Sequence, residues 1–318
     1  MASHYEMFPA VVTRVEQLTP LIKRFTFKRQ DGQNFPRFSG GSHIIVKMND
    51  QLSNAYSLMG CTQDLSTYQV CVRKDVEGKG GSVFMHDQCN EGCEIQISEP
   101  KNLFPLAETG NKHILIAGGI GITPFLPQMD ELAARGADFE LHYAYRSPEH
   151  AALLDELKQK HAEHVFSYVD SEGCMLNLDE LISSQPKGTH VYVCGPKPMI
   201  DAVIDCCNKH RYRDEYIHWE QFASTVPEDG EAFTVVLAKS NQEIEVQSNQ
   251  TILQAIETLN IDVECLCREG VCGTCETAIL EGEAEHFDQY LSDAEKASQK
   301  SMMICVSRAK GKKLVLDL

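Results

Sequence analysis

A chain of 318 residues is longer than one compact domain of roughly 100–200 residues, and 42% apolar with 24% charged residues is the balance of a globular fold, not of a disordered or fibrous one. Its 46 acidic against 29 basic side chains leave a formal charge of −17, a field of the wrong sign for nucleic-acid phosphates and anionic lipid headgroups, so no nucleic acid and no membrane is expected as a partner, whereas a basic protein surface is. The opening "MASHYEMFPAVV" lacks a basic, apolar leader pattern and no apolar run of about 18 residues follows, which predicts a cytoplasmic protein, and thirteen cysteines, an odd count, predict free thiols with a special subset.

Residues 1–108 read as short runs of alternating polarity, "VVTRVEQL", "IKRFTFKR", "GSHIIVKM", "AYSLMG", "TYQVCVRK" and "EIQISEP", broken by Gly, Asp and Asn turns. That spacing predicts a small antiparallel β-barrel. From 109 to 222 apolar strands alternate with helical patterns: "HILIAGGI", "TPFLPQMDELAARG", "FELHYAY", "HAALLDELKQKH", "VFSYV", "LDELISS", "HVYVCG" and "PKPMIDAVIDCCNKH". The βαβ rhythm predicts an α/β domain with a parallel sheet, whose ligand crevice lies at the carboxyl ends of its strands. Residues 223–231, polar and interrupted by Pro227 and Gly230, read as a linker. A third domain of mixed α+β character, 232–318, follows: a hairpin ("FTVVLA", "QEIEVQ"), a helix "TILQAIETLN" with Ser248 or Asn249 near its start, a sulfur-rich loop, and strands around "MMICVSR" and "KLVLDL".

The loop "CLCREGVCGTC" places four sulfurs in eleven residues. Cys267, Cys272 and Cys275 form C-x4-C-x2-C, and Cys305 comes thirty residues later on an expected strand. This is the ligand spacing of a plant-type [2Fe–2S] centre. Gly270 and Gly273 supply the backbone freedom a loop needs to wrap a cluster closely. A structural zinc site calls for a second C-x2-C pair, and a redox dithiol for a strand-to-helix setting; both are alternatives with less support. Cys265 lies outside the spacing and reads as a bystander.

Such a centre takes one electron at a time, whereas a nicotinamide gives two together as hydride. A flavin between them resolves the mismatch. Tyr56 and Ser57 of "NAYSLM" suit contact with the ring or ribityl chain, and Gly80, Gly81 and Ser82 of "GKGGSVFMHD" suit a phosphate at the start of a helix. Singly, each is an ordinary strand or turn feature; the combination carries the weight. In "IAGGIGITP", Gly118, Gly119, Gly121 and Pro124 sit between a strand and a helix, where glycines admit a dinucleotide, although the form is not G-x-G-x-x-G. "VYVCGPKPM" brings Cys194, Gly195, Pro196 and Met199 to the nicotinamide side, and Arg146 to the adenosine ribose.

"NAYSL", "GKGGS", "GGIGITP", "CGP" and the four-cysteine set, in that order over essentially the whole chain, resemble the phthalate dioxygenase reductase type of Rieske-oxygenase reductase. The resemblance implies a flavin barrel, a nicotinamide domain and a plant-type ferredoxin domain in one chain, with FMN as flavin, NADH as donor and a separate Rieske oxygenase as recipient. It further implies that Tyr56, Ser57, Val72, Arg73, Lys74, Gly80, Gly81, Ser82 and Thr123 hold the flavin, with Glu220 and Phe222 beside its ring. One position departs: the family's R-x-Y-S motif begins here with Asn54, which removes a cation from the phosphate site and shifts that role to Arg73, Lys74, Lys79 or helix amides. The implied chemistry needs no acid–base side chain. From Thr225 onward seventeen Asp or Glu face eight Lys or Arg, a balance of −9 that suits either steering of a basic docking patch or plain solubility. The competing reading from another class is an iron–sulfur carrier module without enzymatic activity.

Overall fold

The computed structural model describes residues 5–49, 52–222, 230–259 and 261–318. Most of the expected linker lies outside these. The chain forms a larger unit, Met7–Leu52 with Tyr56–Phe222, and a smaller one holding the described parts of Met1–Glu6 and Ala223–Leu318 together with the run Ser53–Ala55.

The chain begins with β1 (Met7–Thr19), β2 (Ile22–Arg29), β3 (Ser42–Lys47), β4 (Ser53–Ser57, its first three residues being the run grouped with the smaller unit), β5 (Tyr68–Arg73), the helix α1 (Gly81–Asp87), β6 (Glu94–Ser98) and the short β7 (Lys101–Asn102). The strands join in the order β4-β3-β6-β1-β2-β5, with β7 on β3. A bridge between Met59 and Gln69 links the chain just after β4 to β5, closing the sheet into the expected barrel. Alternation decides which side chains face inward: Ala10 and Val12, Phe25 and Phe27, Ile44 and Val46, Val70 and Val72 are buried in one core.

The chain continues through β8 (Lys112–Gly118), α2 (Phe125–Arg135), β9 (Phe139–Tyr145), α3 (Leu154–His161), β10 (Val165–Val169), α4 (Leu178–Ser183), β11 (Thr189–Cys194), α5 (Lys197–Lys209) and β12 (Ile217–Glu220). All five strands are parallel, in the order β10-β9-β8-β11-β12. Strand β8 is buried on both faces, as parallel strands are. Leu115 and Ala117 enter the core with Phe125, Met129 and Tyr143, while Ile114 and Ile116 enter another with Ile182, Ile200 and Val203.

One predicted helix is shorter than its pattern. "HAALLDELKQKH" is helical only from Leu154, because Leu153 takes a left-handed φ of 64°. Leu153 is buried with Ala152 against Ile22, Met59 and Cys71, so packing on the barrel outweighs helix continuation. The same seam carries Arg24, which bridges Glu16 and Glu156 at 2.9 Å each, and Gly40, whose amide donates to Glu131 Oε1 at 2.7 Å.

The smaller unit comprises β13 (Phe233–Leu237), β14 (Gln242–Val246), α6 (Ile252–Glu257), β15 (Glu276–Glu281), β16 (Ala284–Glu285), α7 (Asp293–Ser298), β17 (Ser301–Met303), β18 (Arg308–Ala309) and β19 (Lys313–Leu316). Its five-stranded mixed sheet runs β14-β13-β19-β15-β17, and β16 pairs with β18. The start of α6 differs from expectation. Its cap is Thr251, whose Oγ1 accepts the Gln254 amide at 3.1 Å while Gln254 Oε1 accepts the Thr251 amide at 2.9 Å, a reciprocal box that neither Ser248 nor Asn249 makes.

Candidate functional site

Cluster chemistry depends on the loop between α6 and β15. Cys267, Cys272, Cys275 and Cys305 are all buried, and Cys275 and Cys305 belong to one core. Backbone donors turn toward sulfur: the Cys267 amide to Cys272 Sγ at 3.4 Å and the Glu269 amide to Cys267 Sγ at 3.3 Å. The loop can curl this tightly because Gly270 and Gly273 adopt φ of 75° and 76°. A Cβ at Gly273 would land in the Tyr290 ring, and one at Gly270 would lie 2.7 Å from Val306 Cγ2. Thr274 Oγ1 is buried without a hydrogen-bond partner. Four inward thiols, amides aimed at them and an unsatisfied hydroxyl fit a sulfur-ligated metal cluster. Cys305, expected on a strand, instead sits in the turn after β17, because the pairing of β15 and β17 stops at Met303. Cys265, expected to be a bystander, is half-buried against the core that holds Cys275 and Cys305.

In the larger unit the strand order reverses direction between β8 and β11, the place where open α/β sheets bind ligands. The turns following those two strands touch there. A Cβ on Gly118 would lie 2.8 Å from Met199 Sδ and from Pro196 Cδ, and one on Gly121 would strike the Cys194 carbonyl. The absence of a side chain at these two glycines lets the turn Cys194–Pro196 pack against them. Gly119 differs: its φ is 54° and the space beside it is open. Pro124 and Pro196 stand at the N-caps of α2 and α5, and Arg146 is exposed just beyond β9.

Cys194 and Glu220 close their strands side by side, and Phe222 packs on the core that contains Cys194 and Tyr192. The Glu220 carboxyl end is surrounded by protein although part of the residue reaches the surface, and desolvation pushes its pKa up to about 8. Burial likewise pushes the Cys194 thiol well above the usual range, with Glu220 adding to it. Both groups are neutral at pH 7, and sequence reasoning alone had no means of finding that.

Among the barrel residues, Ser57 is buried with an Oγ that has no hydrogen-bond partner, as expected of a hydroxyl reserved for a ligand. Tyr56 packs beside it against the barrel core. Several other expected contacts are committed to the protein itself. Lys74 Nζ lies 2.6 and 2.8 Å from the Asp87 carboxylate, the Val72 carbonyl is 2.8 Å from His86 Nε2, and Thr123 Oγ1 donates to the Ile120 carbonyl at 3.1 Å. The Ser82 hydroxyl joins the Asp75 backbone at 3.0 and 3.2 Å, fastening the loop that α1 follows. Gly80 caps α1 with a φ of 93°, Gly81 is buried within it, and Arg73 is exposed. Asn54, in the run belonging with the smaller unit, donates Nδ2 to Glu269 Oε1 at 2.6 Å. The unsatisfied Ser57 hydroxyl fits a bound flavin. Open space beside Gly119 at the sheet's switch point fits a nucleotide.

Comparison with known proteins agrees with this division. Residues 235–310 match the family of 2Fe-2S iron-sulfur cluster binding domains, and residues 98–217 match the N-terminal domain of the dimethylamine monooxygenase subunit DmmA-like family. The carnitine monooxygenase reductase subunit of Acinetobacter baumannii is 98% identical over 318 residues, covering all of both chains. That of Escherichia coli strain K12 is 52% identical, covering 99% of this chain and all of its own. Among solved structures, phthalate dioxygenase reductase, a modular structure for electron transfer from pyridine nucleotides to [2Fe–2S], is 33% identical with a TM-score of 0.78, covering 98% of each chain. Among the described residues no helix is long and apolar enough to cross a membrane.

Proposed function

Because this chain belongs to the family of oxygenase reductase subunits that includes the carnitine monooxygenase reductases, we propose that it is the NADH-dependent reductase of a carnitine monooxygenase, serving a separate Rieske oxygenase component through FMN and a [2Fe–2S] cluster. The observation that carries the reading is full-length identity of 98% to a carnitine monooxygenase reductase subunit, with all four thiols of the cluster spacing buried.

When bound, the flavin and the cluster supply the conversion of an electron pair into single electrons. The chain's own residues position and insulate. Cys267, Cys272, Cys275 and Cys305, all buried, would hold the iron, and the Cys267 and Glu269 amides, which donate to sulfur, would stabilise charge there. Ser57 offers its hydroxyl to the flavin, with Tyr56 beside it. The turns after β8 and β11 form the crevice for NADH, Gly119 giving the dinucleotide room. Burial raises the Glu220 pKa to about 8, so at pH 7 its carboxyl beside Cys194 Sγ adds little negative charge to the nicotinamide side of the crevice.

The test is an anaerobic NADH titration followed by visible spectroscopy, after flavin, iron and acid-labile sulfide have been measured, and then carnitine turnover with the oxygenase component at several salt concentrations. Flavin absorbance near 450 nm, bleached by NADH, with iron and sulfide in equal amounts, is the expected result. A colourless protein, or one holding zinc and no sulfide, overturns the reductase reading. Electron delivery that supports no carnitine cleavage overturns the pathway alone.

A further inference from the structure

Away from the crevice, two packed helices gather three side chains of metal-ligating type. Helix α5 places Cys206 in its last turn and His210 at its C-cap, four residues on, where the His210 amide donates to the Cys206 carbonyl at 3.1 Å and both side chains share one face. Helix α4 brings Asp179 from its first turn. Core packing holds the two helices together: Ile182 is buried with Ile200, Val203, Cys206 and Cys207, and Tyr212 Oη donates to the Ile182 carbonyl at 3.2 Å. Asp179 Oδ1 lies 2.8 Å from His210 Nε2, and one ligand atom from each of Asp179, Cys206 and His210 lies within 4.8 Å of the other two. Because α5 starts beside the Cys194–Pro196 turn and runs for 13 residues, about 20 Å, this grouping stands a helix length from the nucleotide crevice.

From this geometry we infer that Asp179, Cys206 and His210 form a second metal site, taking one divalent transition-metal ion of the zinc class. Donor chemistry selects the ion: a thiolate with an imidazole suits zinc, while a single carboxylate offers too few oxygens for magnesium or calcium. In a tetrahedral zinc site neighbouring donor atoms stand about 3.3–3.5 Å apart, so rotation of the side chains closes the remaining distance. The carboxyl end of α5, where Cys206 and His210 sit, favours a cation. Binding balances without electron transfer: the Cys206 thiol proton leaves to solvent as the metal–Sγ bond forms, and metal bonds to His210 Nε2 and Asp179 Oδ1 replace the hydrogen bond between those atoms. Lys209 Nζ, 2.6 Å from Asp179 Oδ1, gives up its ion pair. With 65% and 58% of the two side chains exposed, that pair contributes little and yields easily. Three protein ligands leave the fourth position to water, so the ion is exchangeable.

The experiment uses the full chain as purified, with iron and acid-labile sulfide measured first, and titrates Zn²⁺ into wild type, C206A, H210A, D179N and K209A by calorimetry, with zinc K-edge X-ray absorption of the loaded proteins. Wild type is expected to bind one Zn²⁺ with one sulfur at about 2.3 Å and nitrogen or oxygen donors at about 2.0 Å. C206A is expected to lose the sulfur shell, and C206A, H210A and D179N to bind at least ten-fold more weakly. K209A, which frees Asp179 from its competitor, is expected to bind two-fold or more tightly, a gain that a merely structural Asp179–His210 contact would not give. Equal affinity in wild type and the three ligand variants overturns the proposal. A shell of three or four sulfurs does so too, because it puts the zinc among the cysteines of the cluster loop. Should C206A disturb the core between α4 and α5, H210A and D179N, which alter less buried side chains, carry the test. Iron and sulfide missing from wild type would count against the reductase reading and leave this site untouched.

Discussion

Cys194 and Glu220 are Cα partners at the ends of the parallel strands β11 and β12, and Cys194 Sγ donates toward Glu220 Oε2 at 3.9 Å. The pair lies where the sheet meets the crevice: burial raises the Glu220 pKa to about 8 against an ordinary 4.5, the hydrogen bond from Cys194 working the other way, while the carboxyl pushes the already buried Cys194 thiol further up. The sign of the linkage follows. Below pH 4.5 the carboxyl is protonated folded or unfolded; as pH rises to about 8 the unfolded chain loses that proton while the fold retains it, so this group's contribution to stability falls across the interval. The expected outcome is that Glu220→Gln flattens the loss between pH 4.5 and 8 and stabilises the larger unit at pH 8 by up to about 4 kcal/mol. Urea unfolding at a series of pH values checks it.

The opposite slope comes from histidines. His113, His190 and His218 lie on the adjacent strands β8, β11 and β12; His190 Nδ1 and His218 Nε2 are 2.9 Å apart, and the His113 and His190 rings stack at 5.7 Å. Burial pushes His113 and His218 down to about 4, each further lowered by a neighbouring imidazole. Between pH 6.5 and 4 the unfolded chain takes up protons that the fold refuses, so stability is lost as pH falls through that window. Replacing His218 by Phe, which keeps the stacking at 4.3 Å on Tyr192, is expected to move the acid unfolding midpoint downward. Circular dichroism during acid titration is the measurement.

How much of this was legible beforehand depends on how local the cause is. The buried strand β8 announced itself as "HILIA", and the C-x4-C-x2-C spacing marked its loop, because periodicity and ligand spacing are written along the chain. The tail "HFDQYLSDAEKASQKSMMICVSRAKGKKLVLDL" already looked like that of the carnitine monooxygenase reductases. Leu153 was not legible: its left-handed backbone comes from burial against Ile22, Met59 and Cys71, residues far away in sequence. Nor was the packing of Cys265 against the core that holds Cys305, forty residues on, or the engagement of Lys74 by Asp87. In each case a partner brought by the fold decides the role, and the residue type alone does not name the partner.

The two turn glycines separate packing from conformational freedom. Gly121→Ala puts a methyl on the Cys194 carbonyl and within 3.0 Å of the Gly195 amide nitrogen, backbone atoms that cannot swing away. It is expected to destabilise the larger unit by at least about 3 kcal/mol and to abolish NADH binding, since both walls of the crevice must shift. Gly119→Ala meets no atom, and its cost is only that of a left-handed alanine, about 1 kcal/mol. Thermal melts together with NADH binding, by calorimetry, distinguish the two; equal effects would mean that the contact of the turns is not what fixes Gly121.

Ser57 makes the final case, in which a single substitution is expected to act in opposite directions with and without ligand. Its hydroxyl is buried and unsatisfied by the protein, a state costing about 1–3 kcal/mol that only a ligand relieves. Ser57→Ala removes the buried hydroxyl at almost no change of volume. The flavin-free protein is therefore expected to gain about 1 kcal/mol or more, while the flavin-loaded protein loses one hydrogen bond and its dissociation constant rises roughly 5- to 10-fold. Melting curves of both forms, alongside fluorescence titration with FMN, test the two signs separately. A variant that is less stable without flavin would place the hydroxyl in the barrel's own hydrogen bonding, and one that binds FMN unchanged would remove Ser57 from the site.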